Sequence, residues 1–142
     1  PGAVTRALTL RGAQQNWAIL HGHKIIENRG WRVPAGWFAL HTGAQPPSQS
    51  LQRWLLAEVP GMPPEASLPH SAIVGAVRIC EHRTVAQCRG CKWAAGPICH
   101  VIDKVVQLPK PIPHSGKLGL WPVDASVLGQ LQEQLLAEAV LE

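Results

Sequence analysis

Proline and glycine set the grain of this chain. Thirteen of each fall within its 142 residues. A proline inside a helix removes a hydrogen bond and clashes with the preceding turn, and inside a central strand it breaks the ladder. The run through Pro60, Pro63, Pro64 and Pro69 therefore reads as irregular. Pro109, Pro111 and Pro113 favour an extended polyproline path over residues 108–113. Long helices are left room only early in the chain and at its end.

Between these breaks the apolar residues recur with the periods of short elements. Residues 4–11 alternate as an opening strand. Residues 14–21 put Trp17, Ile19 and Leu20 on a helical stripe, and Gly22 is placed to end that helix in a left-handed conformation. Residues 24–29 follow as a strand, in which period two sets Ile25, Glu27 and Arg29 on one face and Lys24, Ile26 and Asn28 on the other. Residues 36–42 form an apolar strand. Ser48 caps a helix over residues 49–58 whose buried face is Leu51, Trp54 and Leu55. Residues 71–79 are the clearest buried strand, with Gly75 marking a bulge or a close backbone approach. Residues 81–96 read as a loop, 97–106 as a strand and 118–122 as a short closing strand. Asp124 or Ser126 caps a final helix over about residues 125–140, with Val127, Leu128, Leu131, Leu135 and Ala139 on one face.

Strands outnumber helices, and turn clusters recur every ~8–12 residues, a spacing that favours a small barrel or curled sheet over a parallel array. The apolar fraction of 46% against 15% charged residues indicates a folded core and excludes a disordered chain. The expected architecture is a single α+β domain over residues 1–142, a small β-barrel flanked by α-helices. No stretch approaches the roughly 18 apolar residues of a membrane helix, so no membrane partner is expected. The opening residues lack the charged-then-apolar order of a signal peptide. Together with four cysteines crowded between Cys80 and Cys99, this reads as an intracellular chain, cytoplasmic or nuclear, with reduced thiols. The formal charge of +4 permits a polyanionic partner without requiring one.

One motif carries more than its composition. Gly22, Lys24, Glu27 and Arg29 spell Gly-x-Lys-x-x-Glu-x-Arg, followed by Trp31. Two cations around one carboxylate are suited to hold a phosphate or an oxyanion while the carboxylate orients them. The alternative is an ion pair on a strand's solvent face. His41 ends the strand expected beside this motif, where it serves acid/base chemistry or caps the strand end.

The pattern resembles the signature of the ASCH domain (activating signal cointegrator homology) of the PUA-like superfamily. The stretches 36–42, 71–77 and 93–121 are similar to bacterial and phage members, so the resemblance spans about residues 7–123. It implies a PUA-like β-barrel and sets Lys24, Glu27 and Arg29 in a ligand cleft. Two departures stand out. The family's Gln-Pro-Trp step is replaced by a longer segment over residues 11–16, which lacks the aromatic ring. In the related enzymes that hydrolyse N4-acetylcytidine, a threonine occupies the position of Glu27.

As a binding module, the domain would take RNA or single-stranded DNA, or a nucleotide, in a basic cleft of Lys24, Glu27, Arg29, His41 and Lys117, with a base stacked on Trp31. As an enzyme, it would hydrolyse an N4-acylated cytidine or an RNA phosphodiester, with Lys24 and Glu27 as the catalytic pair. The third class is a protein-interaction domain of a transcription cofactor. No organic cofactor is expected. A structural zinc is one reading of the cysteine cluster: Cys88 and Cys91 form a Cys-x-x-Cys knuckle, and His82 and Cys99 complete a set of four, with Cys80 and His100 as further candidates. Only one of Cys99 and His100 can face the knuckle, because neighbours on a strand point opposite ways. A Cys88–Cys91 disulfide and plain thiols are the alternatives. Trp17, Trp37 and Trp54 read as core residues, Trp31 and Trp93 as loop rings.

Overall fold

The structure is a computed structural model and describes residues 4–138. Six strands are formed among them: β1 (Arg6–Leu10), β2 (Ile26–Arg29), β3 (Gly36–Thr42), β4 (Ala72–Arg83), β5 (Ile98–Pro113) and β6 (Leu120–Pro122). Three α-helices, α1 (Ala13–Leu20), α2 (Gln49–Glu58) and α3 (Ala125–Glu138), join them. The strands make one sheet in the order β2-β5-β4-β3-β1-β6, curled into a half-barrel. Only β1 and β3 run parallel; the other pairings are antiparallel. The chain is thus a mixed α/β fold. No helix among the described residues is long and apolar enough to cross a membrane.

The two faces of the sheet are covered differently because strand side chains alternate. Ala7, Ala39 and Ala76 stand opposite one another on β1, β3 and β4. Their small side chains share a cluster with Leu131 and Leu135 of α3. Burying each of those leucines is worth about 1.5–3 kcal/mol. The expected helix face of Val127, Leu128, Leu131 and Leu135 is the one packed; Ala139 lies outside the described residues. On the other parity, Leu8, Phe38, Leu40, Val77 and Ile79 pack with Ile19 of α1. Gly75 is what lets α1 settle there. A Cβ on it would stand 2.5 Å from the Val106 carbonyl and 2.6 Å from Leu20 Cδ2. The ladder also shifts register between Ile73 and Gly75.

Several elements depart from the sequence reading. The last strand pair is longer at both ends than the prolines and cysteines suggest. β4 continues past Ile79 through Arg83, with register shifts around Ile79 instead of a loop. β5 continues through Pro109, Pro111 and Pro113 instead of leaving the sheet. Pro109 and Pro111 are tolerated because they fall between the Gly75–Gln107 and Ile73–Ile112 pairs, where the ladder shifts register, on a stretch of β5 that β2 does not pair; Leu108 and Ile112 stay buried. Lys110 keeps its donor and acceptor satisfied through Gln134 of α3, which accepts from its N–H at 3.1 Å and donates to its carbonyl at 3.0 Å.

The irregular segment over residues 60–69 also has a structural task. Gly12 opens α1 and has no side chain with which to cap it. Glu65 does so from the proline-rich loop. Its carboxylate accepts from Ala13 N at 2.7 Å and Gln14 N at 3.0 Å, and His70 Nε2 lies 2.5 Å from Oε2. At α2 the cap is the expected one, with Ser48 Oγ accepting from Leu51 N at 3.2 Å. Of the expected α2 face, Leu55 is buried and Leu51 half-buried, but Trp54 is 37% exposed.

Candidate functional site

Strand β2 begins at Ile26, so Lys24 stands in the turn after α1 and is free of the strand's alternation. The sequence reading put it on the face away from Glu27. Freed from that parity, its side chain folds back to the carboxylate. Lys24 Nζ donates to Glu27 Oε1 at 2.9 Å and to Gln15 Oε1 of α1 at 2.6 Å. Glu27 Oε2 accepts from Arg29 Nε at 3.0 Å. Arg29 Nη2 then crosses to β1, a strand β2 does not pair with, and donates to the Thr9 carbonyl at 2.8 Å. The curl of the sheet makes that reach possible.

This network is no solvent-face ion pair. The side chains of Lys24 and Glu27 are 5% and 10% exposed, and that of Arg29 is 18% exposed. Both carboxylate oxygens are engaged by cations, so Glu27 acts as a base only by releasing one of them. The group as a whole carries two positive charges against one negative. Arg29 is the member that still faces solvent, which makes it the point where an anion can add to the network.

Gln15 and Thr9 were absent from the sequence reading. Neither lies within the motif's own spacing, and a glutamine or a backbone carbonyl at the edge of a cation's reach leaves no pattern in the chain.

His41 does not reach the network. It is fully buried, and each of its ring nitrogens is matched. Nε2 lies 2.6 Å from the His114 carbonyl and donates to it, which leaves Nδ1 to accept from the Thr9 hydroxyl at 3.1 Å. Trp121 Nε1 in turn donates to Thr9 Oγ1 at 2.9 Å. Burial holds the His41 pKa below the ordinary histidine range, so the neutral ring is the form the fold keeps. Its expected contact with a ligand is therefore corrected: His41 is a buried joint between β1, β3 and the loop after β5.

That loop, residues 114–119, brings the other expected residues alongside. A Cβ on Gly116 would stand 2.6 Å from His41 Cε1 and 3.0 Å from Thr9 Oγ1, so the loop lies directly on β3 and on β1 at Thr9, whose carbonyl accepts from Arg29. Lys117 follows, exposed, with Leu118 99% exposed beside it. The Trp31 ring comes 4.0 Å from a Cβ built on Gly119 and is 40% exposed. The loop thus runs from Thr9, whose carbonyl accepts from Arg29, to the Trp31 ring, and carries Lys117 between them.

The loop carrying Trp31 is pinned by two histidines. Val33 N donates to His100 Nε2 at 2.9 Å, and His82 Nε2 lies 2.5 Å from the Val33 carbonyl. His100 Nδ1 donates to the Glu27 carbonyl at 3.0 Å. Burial pushes the His100 pKa down, and the acceptor role of Nε2 requires the neutral ring.

The same pairing corrects the zinc set. Because β4 runs on to Arg83, His82 stands opposite His100, and Cys99 stands opposite Arg83. Consecutive positions on a strand face opposite sides, so His82 points away from Cys99. Cys88 and Cys99 are buried with Ile26, and Cys91 packs beside them. Cys80 is exposed. No group of three or more His, Cys, Asp or Glu side chains among the described residues is arranged to hold a metal ion. Nor is any cysteine in a disulfide. Burial raises the Cys99 thiol pKa, and Asn28 fastens the cysteine loop by accepting from Ala95 N and Gly96 N, both at 2.9 Å. Trp93 is half-buried in this flank, edge-on to Trp54 at 5.3 Å between ring centres. It therefore packs instead of offering a free face.

Comparison with known proteins finds no family model that matches the chain and no curated protein that matches it.

Proposed function

We propose that the chain is an ASCH-type domain of the PUA-like superfamily, and that it binds an unpaired nucleotide of RNA or single-stranded DNA at the region bordered by Arg29, Trp31 and Lys117. The observation that carries this reading is the nearly buried Lys24–Glu27–Arg29 network. It holds a guanidinium in a fixed place through Nε and Nη2, with the side chain 18% exposed and Nη1 without a hydrogen-bond partner among the described residues, which leaves that edge for a ligand. A phosphate or a base carbonyl fits such an edge, because arginine's planar fork binds oxygens in pairs.

Trp31 supports the reading from the other side. A large exposed ring on a loop pinned at both ends of Val33 is a pre-organised stacking surface, and base stacking on an aromatic side chain is worth ~1–3 kcal/mol. Lys117 adds a mobile charge without a fixed partner among the described residues. The Glu27 carboxylate serves here as the orienting anion of the cations and takes no part in bond cleavage.

The test is a titration of the protein with fluorescently labelled single-stranded RNA and DNA at several salt concentrations. Affinity is expected to fall as salt rises, with a log–log slope that shrinks by about one on Lys117→Gln. Flat curves, or no binding at low salt, would overturn the proposal.

A further inference from the structure

A separate cavity opens where the loop after β2 meets the far end of β4. It holds about 190 Å³, and Arg32, His82, Arg83, Thr84 and Gln87 line it, with its apolar part supplied by the start of β5. Two of these residues are arginines and none is acidic. Arg32, Arg83, Thr84 and Gln87 are exposed, so a ligand in the cavity reaches them from solvent. Arg83 Nη2 donates to Glu81 Oε1 at 2.8 Å, whereas Arg32 has no hydrogen bond or ion pair among the described residues. Two cations thus stand against one carboxylate, which lies outside the lining.

The hydrogen bonds around the cavity spend acceptors and leave donors. Thr84 and Gln87 hold each other in a reciprocal pair of the capping-box kind. Gln87 Oε1 accepts from Thr84 N at 2.8 Å, and Thr84 Oγ1 accepts from Gln87 N at 3.2 Å. With its oxygen engaged, the Gln87 amide keeps Nε2 to offer, and the Thr84 hydroxyl keeps its proton to donate. Neither group has a further partner among the described residues. His82 Nε2 is taken up by the Val33 carbonyl, and its Nδ1 is unmatched yet reached by solvent. The turn that carries the pair is firmly seated. A Cβ on Gly96 would stand 2.5 Å from Val85 Cγ2, so the turn packs against the segment leading into β5.

We propose that this cavity binds a phosphate group. The excess of positive charge selects an anion, and arginine's planar fork matches phosphate oxygens in pairs. Unspent donors come from three elements: the loop after β2, the end of β4 and the turn beyond it. They suit an ion whose oxygens point several ways, whereas a carboxylate presents both of its oxygens in one plane. The volume exceeds the ~30 Å³ share of a single water several-fold, which leaves room for the group. It belongs either to inorganic phosphate or to the backbone of a bound strand. No lining residue is part of the Lys24–Glu27–Arg29 network.

The test compares sodium phosphate with sodium acetate at matched pH and ionic strength, in ¹H–¹⁵N spectra of the whole protein. Phosphate is expected to shift the Gln87 side-chain amide and Arg32 Nε–H saturably. Acetate should bind about tenfold more weakly or worse, the equivalent of one hydrogen bond to a charged group. Arg32→Gln should weaken the phosphate response at Gln87 by a similar factor, while Arg89→Gln, at an exposed arginine outside the lining, should leave it unchanged. A single-stranded oligonucleotide without terminal phosphates identifies the source. A strand phosphate shifts Gln87 together with Trp31 and is displaced from Gln87 by inorganic phosphate. A site for free phosphate leaves Gln87 unmoved by the oligonucleotide. Silence at Trp31 would count against nucleotide binding there and not against the phosphate cavity. Three results would overturn the cavity: no saturable shift at Arg32 or Gln87 with either source; acetate binding as tightly as phosphate; or a Gln87 response undiminished in Arg32→Gln.

Discussion

Two buried glutamates, Glu65 and Glu27, are satisfied in opposite ways. Glu65 is held chiefly by main chain: two backbone N–H groups at the start of α1, with His70 behind. Those donors are fixed as long as the helix exists. Glu27 is held by two side chains, one of which, Arg29, is 18% exposed. A carboxylate bound to backbone amides can only be structural. One bound to flexible cations organises them for something further. The contrast separates a cap from a candidate site using burial and partners alone.

The largest expected effect tests the cap. Glu65→Ala removes two charge-assisted bonds to a helix start that has no other cap, for a loss of about 3–5 kcal/mol. That is a fall of roughly 10–20 °C in Tm for a chain of this size. Glu27→Ala comes next. It leaves Lys24 buried beside Arg29 with no counter-charge, at about 2–3 kcal/mol, softened by the solvent that Arg29 reaches. Thermal melts of both variants decide the order. If Glu27→Ala proved the more damaging, the distinction drawn between the two carboxylates would fail.

A smaller effect follows from the histidines. His41 and His100 have folded-state pKa values lowered chiefly by burial. Unfolded, they take up protons near pH 6.5; folded, they resist. The unfolded state therefore binds more protons in that window, so stability is complete above about pH 6.5 and declines as pH falls toward the lowered values. Melting curves between pH 7.5 and 5 should show Tm dropping on the acid side, and an unchanged Tm would contradict the neutral tautomers assigned here. Smallest for the fold is Trp31→Ala. It is expected to change stability by no more than about 0.5 kcal/mol, yet to weaken oligonucleotide binding by ~1–3 kcal/mol.

What the sequence made legible was short in range. The Lys24, Glu27 and Arg29 grouping, the Ser48 cap and the apolar stripe of α3 all depend on residues a few positions apart. What it hid was long in range. Glu65 caps a helix 51 residues away at Gln14, and no local pattern announces that. His41 looked available because its partners Thr9 and His114 lie 32 and 73 positions off. The zinc set failed for a subtler reason. The alternation rule that separates Cys99 from His100 also separates His82 from Cys99, but only once β4 is known to reach Arg83. The prolines of β5 misled because Pro109 and Pro111 fall where the β4–β5 ladder shifts register and no pairing N–H is needed.

The most direct test of the central claim is a ¹H–¹⁵N titration with a short single-stranded oligonucleotide at low salt. Arg29 Nε–H and the Trp31 indole N–H report the candidate site, and the Ala13 and Gln14 amides report the Glu65 cap. The account predicts saturable shifts at Arg29 and Trp31 that fade as salt is added, with Ala13 and Gln14 unmoved. Shifts at neither Arg29 nor Trp31 at saturating oligonucleotide would contradict it.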